Sequence, residues 1–345
     1  MNALTLTATG GLDHLVLQDM PAPGPRGPDD VLVRLHAAAL NRLDLFVIDG
    51  LPGIAPTFPL IVGADGAGVV EAAGPAVRDF DPGDRVMINP GLACGHCEWC
   101  VAGDQPLCPG FRVLGEHLPG TMAEYVVVPA RNLARIPESM SFTQAAAFPL
   151  ATLTAWRMLV TRARLQPGET ILIWGIGGGV AQAALRIARL LGARTIVTSS
   201  AEWKLERARA LGADGTLNHA TADVPREIRA LTERRGVDVV VDTAGAATWD
   251  RSLRSLARGG RLVTCGGTTG PMVTTDVRKL FWYQWSLLGS TMGSDAEFRA
   301  ITALAARGEL WPEVDMVVPL ARAVEAYRRL ASGAQLGKVV IEVRA

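Results

Sequence analysis

The stretch Thr170–Ala193 constrains the fold more than any other part of the sequence. It begins with an apolar run from Ile171 to Trp174, which is typical of a buried parallel strand. A glycine-rich turn follows, and from Val180 apolar residues recur at helical spacing until Gly192, a natural helix stop. The first N–H groups of a helix have no partner within it. A strand, a glycine turn and a helix in this order therefore predict a site for an anion such as a dinucleotide pyrophosphate.

The glycine turn departs from the strictest dinucleotide-binding pattern. Counted from Gly175, the place of the third glycine is taken by Val180, whereas the spacing Gly175, Gly178, Ala181 fits a variant with a final alanine. A glycine-rich turn in some other α/β protein therefore stays an alternative. The residues expected to contact the pyrophosphate are Gly175, Gly177, Gly178, Gly179 and Val180.

Three more apolar strands follow at the period of a doubly wound sheet. They are Thr195–Thr198, Val237–Asp242 and Arg261–Cys265, separated by helical patterns such as Ala201–Leu211. This rhythm predicts an α/β fold with a parallel sheet, whose ligands bind at the carboxyl ends of the strands. The residues expected to contact the cofactor at two of these ends are Thr243, Ala244, Gly245, Cys265, Gly266 and Gly267. Cys265 is interpreted as a small hydrophobic residue and not as a nucleophile.

Composition sets the broad class. A chain of 345 residues suggests about two domains, and 49% hydrophobic residues suffice for two cores. The formal net charge of +0 gives no indication of nucleic acid or an anionic membrane as a partner. No apolar run is long enough to span a bilayer and no leader pattern opens the chain, so a soluble cytoplasmic protein is expected. The first half is β-rich without the strand–helix rhythm, which predicts a separate barrel-like domain.

Four of the five cysteines lie close together in the sequence. Cys94, Cys97, Cys100 and Cys108 follow the spacing C-x2-C-x2-C-x7-C within a lobe of about residues 91–110. Four thiolates in so short a loop can close a tetrahedral zinc site with no open position, which makes the zinc structural. A disulfide pair and an iron–sulfur cluster are the alternatives.

These features together resemble the medium-chain dehydrogenase/reductase superfamily, which includes zinc alcohol dehydrogenases and quinone oxidoreductases. The resemblance extends over nearly the whole chain. Besides the glycine turn and the four cysteines it rests on Gly63–Gly68, Asp81–Val86, Gly120–Val126, Ala145–Trp156 and Leu336–Ile341. It implies a GroES-like catalytic domain, residues 1–149 and 295–345, with a Rossmann domain, residues 150–294, inserted between its two parts.

The sequence departs from the zinc alcohol dehydrogenases at the catalytic metal. In that branch a Cys, a His and a Cys hold a second zinc ion, and the resemblance places Asn41, Ala64 and Leu150 at those positions. Leu43 occupies the position of the proton-relay hydroxyl, and Asp65 that of a glutamate. The pattern Asn41…Asp44 instead resembles the zinc-free quinone oxidoreductases. The chain thus combines the four-cysteine lobe of the zinc alcohol dehydrogenases with an active-site pattern that resembles the quinone oxidoreductases.

The end of the second Rossmann strand bears on the choice of cofactor. NAD-preferring folds carry a carboxylate there, and here the position falls at Ser199. Ser199, Ser200 and Lys204 could instead bind a 2′-phosphate, which favours NADPH; if Glu202 turned into the site, NADH would be preferred. His219 either assists at the same phosphate or is a surface histidine.

The resemblance also assigns residues to the nicotinamide side and to the pyrophosphate. Lys338 matches a basic residue near the pyrophosphate, or alternatively pairs with Asp65. The residues expected along the nicotinamide are Thr154, Thr243, Gly245, Gly266, Gly289 and Ser290. Trp174, Trp282 and Trp285 are interpreted as packing residues.

Without a catalytic metal, hydride addition suits an enone, enal or quinone, because conjugation spreads the developing charge. Asn41 is the candidate donor to the carbonyl oxygen, and His117 is the second candidate catalytic residue; the alternatives are a helix cap for Asn41 and an exposed loop histidine for His117. An NADPH-dependent reductase acting on such small molecules is the leading hypothesis. The other two hypotheses are an alcohol or aldehyde dehydrogenase with a metal site at Asp65 or His117, and an inactive NADPH-binding protein that senses redox state or binds a partner. The resemblance implies a homo-oligomer, a dimer or tetramer.

Overall fold

A computed structural model describes residues 1–24 and 27–344. The chain divides into two compact units: Met1–Leu153 together with the chain from Gly293 onward, and Thr154–Met292. The sequence analysis set these boundaries at residues 150 and 294. Among the described residues, no helix combines the length and the apolar character that crossing a bilayer requires.

Strands outnumber helices in the first part of unit 1, as its β-rich sequence pattern predicts. Its strands are β1 (Asn2–Leu6), β2 (Leu15–Asp19), β3 (Asp30–Ala39), β4 (Leu60–Ile61), β5 (Asp65–Ala73), β6 (Arg85–Ile88), β7 (Gly91–Leu92), β8 (Arg112–Val113), β9 (Tyr125–Pro129) and β10 (Leu133–Arg135). Its helices are α1 (Arg42–Asp49), α2 (Glu98–Val101) and α3 (Phe142–Ala147). Helix α4 (Pro149–Trp156) and a π-helical turn (Arg157–Arg162) lead into unit 2.

Unit 2 alternates strands and helices. Its strands are β11 (Thr170–Ile173), β12 (Arg194–Ser199), β13 (Gly215–Asn218), β14 (Val237–Val241), β15 (Leu256–Thr264) and β16 (Ser286–Gly289). Its helices are α5 (Gly179–Leu190), α6 (Glu202–Ala210), α7 (Val224–Leu231), α8 (Trp249–Ser255) and α9 (Val277–Tyr283). The strands form one parallel sheet in the order β13-β12-β11-β14-β15-β16, which confirms the predicted Rossmann fold.

The chain then returns to unit 1. It adds α10 (Asp295–Ala306), β17 (Val314–Pro319), α11 (Ala323–Ala331) and β18 (Lys338–Glu342). Strand β18 pairs with β3 in a sheet of order β10-β6-β5-β3-β18-β17, and Val340 lies opposite Ala39. This antiparallel pairing brings the end of the chain against residues near position 40. The apolar core beneath it includes Leu6, Leu40 and Tyr327.

The core of unit 2 lies between the parallel sheet and its helices. The middle strands are buried on both faces, as in β11 and β14, because α/β sheets are covered by helices on either side. Trp174 is 2% exposed within this core, and Trp285 packs against it. The packing interpretation is wrong for Trp282, which lies on α9 with 67% of its surface exposed.

Candidate functional site

The glycine turn of unit 2 leaves open space beside its backbone. Gly175 follows β11 with a φ of 68°, and a Cβ placed there would meet no heavy atom within 4 Å. Helix α5 begins at Gly179, and no side chain caps its N-terminus at Gly178. Gln182 fixes the turn, since its Nε2 donates to the Ile176 carbonyl oxygen at 2.8 Å. Open space in front of uncapped N–H groups fits a pyrophosphate.

The end of β12 carries hydroxyl groups and no carboxylate. Ser199 is buried; its Oγ accepts from the Ala201 N–H at 3.1 Å, and its carbonyl oxygen accepts from the His219 N–H at 3.0 Å. The Glu202 carboxylate accepts a hydrogen bond from Asn218 Nδ2 at 2.6 Å, and Asn218 lies opposite Ser199 in the pairing of β12 with β13. The Lys204 ammonium lies 5.3 Å from the centre of the Trp203 ring.

His219 directly follows β13, whose end lies beside the end of β12. Its Nδ1 lies 3.0 Å from Thr198 Oγ1, and its ring is tilted against Trp174. Burial, followed by the positive charge of Arg251, lowers the pKa of His219, so the ring is neutral at pH 7. A neutral, half-buried imidazole contributes hydrogen bonds here and not charge.

Asp242 organises the end of β14, and the sequence analysis missed this function. Its carboxylate is fully buried and accepts from the N–H groups of Ala244 and Gly245 at 2.9 and 3.0 Å. It also accepts from the hydroxyls of Thr248 and Ser252 at 2.8 and 2.6 Å. The turn that holds the predicted residues Thr243–Gly245 is therefore fixed by one carboxylate. The available signal was a charged residue at the end of an otherwise apolar strand.

Close backbone packing explains the glycines of this turn. A Cβ on Gly245 would lie 2.5 Å from the Gly270 carbonyl oxygen, and one on Gly267 would lie 3.1 Å from the same atom. Gly266 is less restricted, since its nearest neighbour is the Thr243 carbonyl oxygen at 3.5 Å. Burial raises the pKa of Cys265 to about 12, so its thiol stays protonated at neutral pH and is no nucleophile.

Two residues predicted along the nicotinamide carry hydroxyls without partners. Thr154 Oγ1 and Ser290 Oγ are buried, and neither has a hydrogen-bond partner among the described residues. Gly289 precedes Ser290 at the end of β16, where its carbonyl oxygen accepts from Arg162 Nε at 2.8 Å. Because buried polar atoms are normally paired, these hydroxyls fit contact with a bound ligand such as a nicotinamide cofactor.

Unit 1 contains a buried polar group of four residues: Asn41, Asp44, Asp65 and Lys338, here called the Lys338 cluster. The Lys338 ammonium donates to Asp65 Oδ2 at 2.8 Å and to Asn41 Oδ1 at 2.5 Å. Asn41 Nδ2 donates to the same Asp65 oxygen at 2.9 Å, and the Leu150 N–H donates to the other at 2.8 Å. Asp65 has no exposed surface and Lys338 only 4%. The ion pair is therefore held in a nearly water-free setting, where its partners depend on each other.

Asp44 lies at the start of α1, directly beside the ion pair. Asn41 occupies the N-cap position of α1, and its backbone N–H donates to Asp44 Oδ2 at 2.6 Å. The alternative interpretation of Asn41 as a structural cap stays a prediction, because its Oδ1 accepts from Lys338. Burial raises the pKa of Asp44 to about 7; the Asn41 N–H and the Lys338 charge oppose this shift. The nearby Tyr327 hydroxyl is buried without a partner among the described residues, and burial, together with the charge of Asp44, raises its pKa.

The two predicted catalytic residues make separate sets of contacts. Asn41 lies in the Lys338 cluster, whereas His117 Nδ1 accepts from the Val113 N–H at 3.3 Å and lies 3.8 Å from Glu116 Oε2. No polar contact between described residues joins His117 to Asn41. The role of His117 in catalysis stays a prediction. Lys338 pairs with Asp65, which was one of its two proposed positions.

The four lobe cysteines converge on one point. Their Sγ atoms all lie within 4.8 Å of one another, and all four thiols are free. Bonds of about 2.3 Å to one tetrahedral zinc ion would separate the sulfurs by about 3.8 Å. The backbone N–H groups of His96 and Cys97 lower the pKa of Cys94 to about 6, which favours its thiolate. This donor set fits one structural zinc ion, and it leaves little space for a multi-iron cluster.

Comparisons with known proteins agree with both units. The family model for the alcohol dehydrogenase GroES-like domain matches residues 27–138, and that for zinc-binding dehydrogenases matches residues 179–307. A zinc-type alcohol dehydrogenase-like protein of Schizosaccharomyces pombe is 33% identical over 96% of both chains. An NAD-dependent alcohol dehydrogenase of Saccharolobus solfataricus is 30% identical over 99% of both.

A crystal structure of an NAD-dependent alcohol dehydrogenase matches with a TM-score of 0.95, at 46% identity and with full coverage of both chains. The chain belongs to the medium-chain dehydrogenase/reductase superfamily. It is therefore an oxidoreductase of that superfamily, as the motifs predict. Its NAD-dependent relatives do not support the predicted preference for NADPH.

The family resemblance places Ala64, Leu150 and Asn41 at the three positions that hold the catalytic metal ion in zinc alcohol dehydrogenases. Ala64 is fully buried and Leu150 is 8% exposed; neither side chain carries an atom that binds a metal. The third position is Asn41, whose amide is bonded to both charges of the ion pair. Among the described residues, the four lobe cysteines form the only group of three or more His, Cys, Asp or Glu side chains close enough to hold a metal ion.

Proposed function

We propose that this oxidoreductase reduces quinones or α,β-unsaturated carbonyl compounds by hydride transfer without a catalytic metal ion. The supporting observation is the Lys338 ammonium, which is buried against Asn41 and Asp65 at the positions where the family resemblance expects metal chemistry. The two neighbouring positions, Ala64 and Leu150, are hydrocarbon. A divalent cation placed beside this ammonium would be repelled, and it would find no thiolate or imidazole.

In the proposed reaction, a cofactor provides the hydride and side chains of unit 1 bind the substrate carbonyl group. A bound nicotinamide cofactor supplies the hydride. Asp65 and Lys338 together fix the Asn41 amide, because one accepts from its Nδ2 and the other donates to its Oδ1. The second Nδ2 proton makes only a long bond of 3.4 Å to the Ala39 carbonyl oxygen. We propose that this N–H donates a hydrogen bond to the substrate carbonyl oxygen, where it stabilises the negative charge that forms on hydride addition.

The amide interaction alone can activate a conjugated carbonyl more readily than a simple one. In an enone or quinone, negative charge spreads over the conjugated system, so a hydrogen bond suffices where an isolated aldehyde needs a Lewis acid. Steady-state turnover of quinones, enals and simple aldehydes by the purified enzyme tests this. The proposal expects kcat/KM for the conjugated substrates to exceed that for saturated aldehydes at least about 100-fold, which is about 2.7 kcal/mol in the barrier. Equal values for the two classes would refute it.

Alcohol dehydrogenation is the second candidate, and the names of the relatives favour it. It would need an unusual metal site at Asp65 or His117. Asp65 argues against that site, because its two oxygens accept from Lys338, Asn41 and the Leu150 N–H. Oxidation of simple alcohols that is abolished by a chelator would favour this candidate over the first.

We further propose that NADPH is the preferred cofactor. The support is the position of Ser199, which carries a hydroxyl where NAD-preferring folds carry a carboxylate. The NAD-dependent relatives point the other way, so the ratio of kcat/KM for NADPH and NADH is decisive. We expect this ratio to exceed 1 and to fall about tenfold or more in Ser199→Asp, whose carboxylate would repel the 2′-phosphate. A ratio below 1 in the unchanged enzyme would refute the preference.

We also propose a homo-oligomer in the cytoplasm. Strand β16 ends the parallel sheet with one unpaired edge, and Phe281 and Trp282 on the preceding helix are 65% and 67% exposed. An open edge beside exposed aromatic side chains suits a second copy of the chain. Five free thiols suit a reducing compartment. Light scattering after size-exclusion chromatography should give at least twice the mass of 36.5 kDa; the monomer mass would refute the oligomer.

A further inference from the structure

Unit 2 has a cavity at the end of the parallel sheet where β14 and β15 begin. This is the opposite end of these strands from the glycine turn and the Asp242 turn. The cavity measures about 360 Å³, within the range of small-molecule pockets. We call it the arginine cleft; its polar and aromatic lining consists of Arg229, Arg234, Arg235, Arg258, Tyr283 and Trp285.

The arginine cleft carries excess positive charge. Arg235 is the one lining arginine paired with a carboxylate, since it binds both oxygens of Asp238. Arg229 donates to the Arg254 carbonyl oxygen at 3.0 Å, and Arg258 lies 4.9 Å from the centre of the Tyr283 ring. Among the described residues, Arg229, Arg234 and Arg258 form no ion pair. These guanidinium groups are exposed, so water screens their mutual repulsion, but their combined charge would attract an anion into the cleft.

The turn that presents Arg234 is built at a conformational cost. Glu233 and Arg234 both have left-handed backbones, with φ of 50° and 69°, which residues with side chains rarely adopt. Thr232 holds the turn: its hydroxyl donates to the Ile228 carbonyl oxygen at 2.7 Å and accepts from the Gly236 N–H at 2.9 Å. Such backbone conformations concentrate at functional sites.

One wall of the cleft is aromatic and fixed in place. Trp285 Nε1 donates to the Ala257 carbonyl oxygen at 2.9 Å, which sets the orientation of the indole. The Tyr283 ring packs beside it, with ring centres 5.1 Å apart. Both side chains are half-buried, so part of each ring faces outward. A planar group could pack there while a charged group meets the arginines.

We propose that the arginine cleft binds a small phosphorylated compound that carries a planar ring. Planar guanidinium groups match phosphate oxygens through paired hydrogen bonds, and they do so better than ammonium groups. The phosphate would lie between Arg234 and Arg258, with the ring against Tyr283 and Trp285. This site is separate from the dinucleotide site, because the two lie at opposite ends of the parallel strands.

Isothermal titration calorimetry with phenyl phosphate, on the full-length enzyme saturated with NADPH, tests the proposal. NADPH keeps the probe out of the dinucleotide site. We expect one molecule bound per chain with a Kd of about 0.1–1 mM, and weaker binding of inorganic phosphate, which lacks the ring. No binding at about 10 mM phenyl phosphate, or equal affinity for the two probes, would overturn the proposal.

Paired substitutions separate a built site from diffuse charge. Arg234→Gln with Arg258→Gln should weaken phenyl phosphate binding about tenfold or more, because charge-assisted hydrogen bonds are lost. Arg209→Gln with Arg226→Gln removes the same charge from exposed arginines of unit 2 outside the cleft and should change the Kd less than about twofold. Equal weakening by both pairs would overturn the proposal. All four side chains are exposed, so thermal unfolding and NADPH affinity should stay unchanged and verify the fold.

Discussion

We expect Gly175 to matter more for cofactor binding than for the stability of the fold. Its φ of 68° suits glycine, yet the space beside it is open. Gly168 provides a matched control, with a φ of 81° and the same open surroundings at the other end of β11. Alanine at either position should cost about 1 kcal/mol in the free energy of unfolding. Only Gly175→Ala should weaken NADPH binding, by about tenfold or more, in fluorescence titration. Equal cofactor affinity in both variants would count against the pyrophosphate site.

Lys338 is the residue on which the buried cluster depends. Lys338→Met should lower the free energy of unfolding by about 3–5 kcal/mol, because Asp65 would be left as an unpaired buried charge. Adding Asp65→Asn should restore part of this loss, since the charge itself is then gone. Urea unfolding of the two single variants and the double variant measures the coupling. A loss below about 1 kcal/mol for Lys338→Met would mean that the pair is solvated in solution.

At the scale of elements, we expect the cysteine lobe to depend on a bound zinc ion. Between β7 and β8 it contains only α2, of four residues, and short turns, so four thiolates around an ion, and not an apolar core, would hold it. Cys100→Ser should lower the zinc content well below one per chain and expose the lobe to proteolysis. Cys265→Ser, outside the lobe, should keep the zinc and the protease resistance. Metal analysis and limited proteolysis measure both; full zinc content in Cys100→Ser would contradict the four-cysteine site.

Asp44, in helix α1, should make the free energy of unfolding depend on pH. Its pKa of about 7 in the folded protein exceeds the ordinary value of 3.8, so the folded state holds a proton that the unfolded state releases. The free energy of unfolding therefore falls as the pH rises from about 4 to about 7, by about 4 kcal/mol at most from this group. Asp44→Asn should remove this dependence. Chemical unfolding of both proteins across this range measures it; parallel pH profiles would show that Asp44 is charged in the fold.

At the scale of the whole molecule, sequence patterns predicted the features whose residues lie close together in the chain. The strand, turn and helix around Gly175 and the cysteine lobe follow from spacing alone, since their partners are close in sequence. The pairing of Lys338 with Asp65 could be proposed only as one of two alternatives. Asn41 and Lys338 are far apart in the sequence and meet only through the pairing of β3 with β18. The function of Asp242 escaped prediction although its contacts are local, because a single acidic residue after an apolar strand does not indicate which N–H and hydroxyl groups will contact it. The arginine cleft escaped prediction because its lining residues come from separate elements.

The most direct test of hydride transfer without a catalytic metal is metal content measured together with turnover. The purified enzyme should contain one zinc per chain, and NADPH-dependent reduction of quinones and enals should persist after a chelator has removed loosely bound metal. This result follows from a lobe that holds one ion and from a Lys338 cluster that excludes a second. Two metals per chain, or activity confined to simple alcohols and aldehydes, would contradict the account.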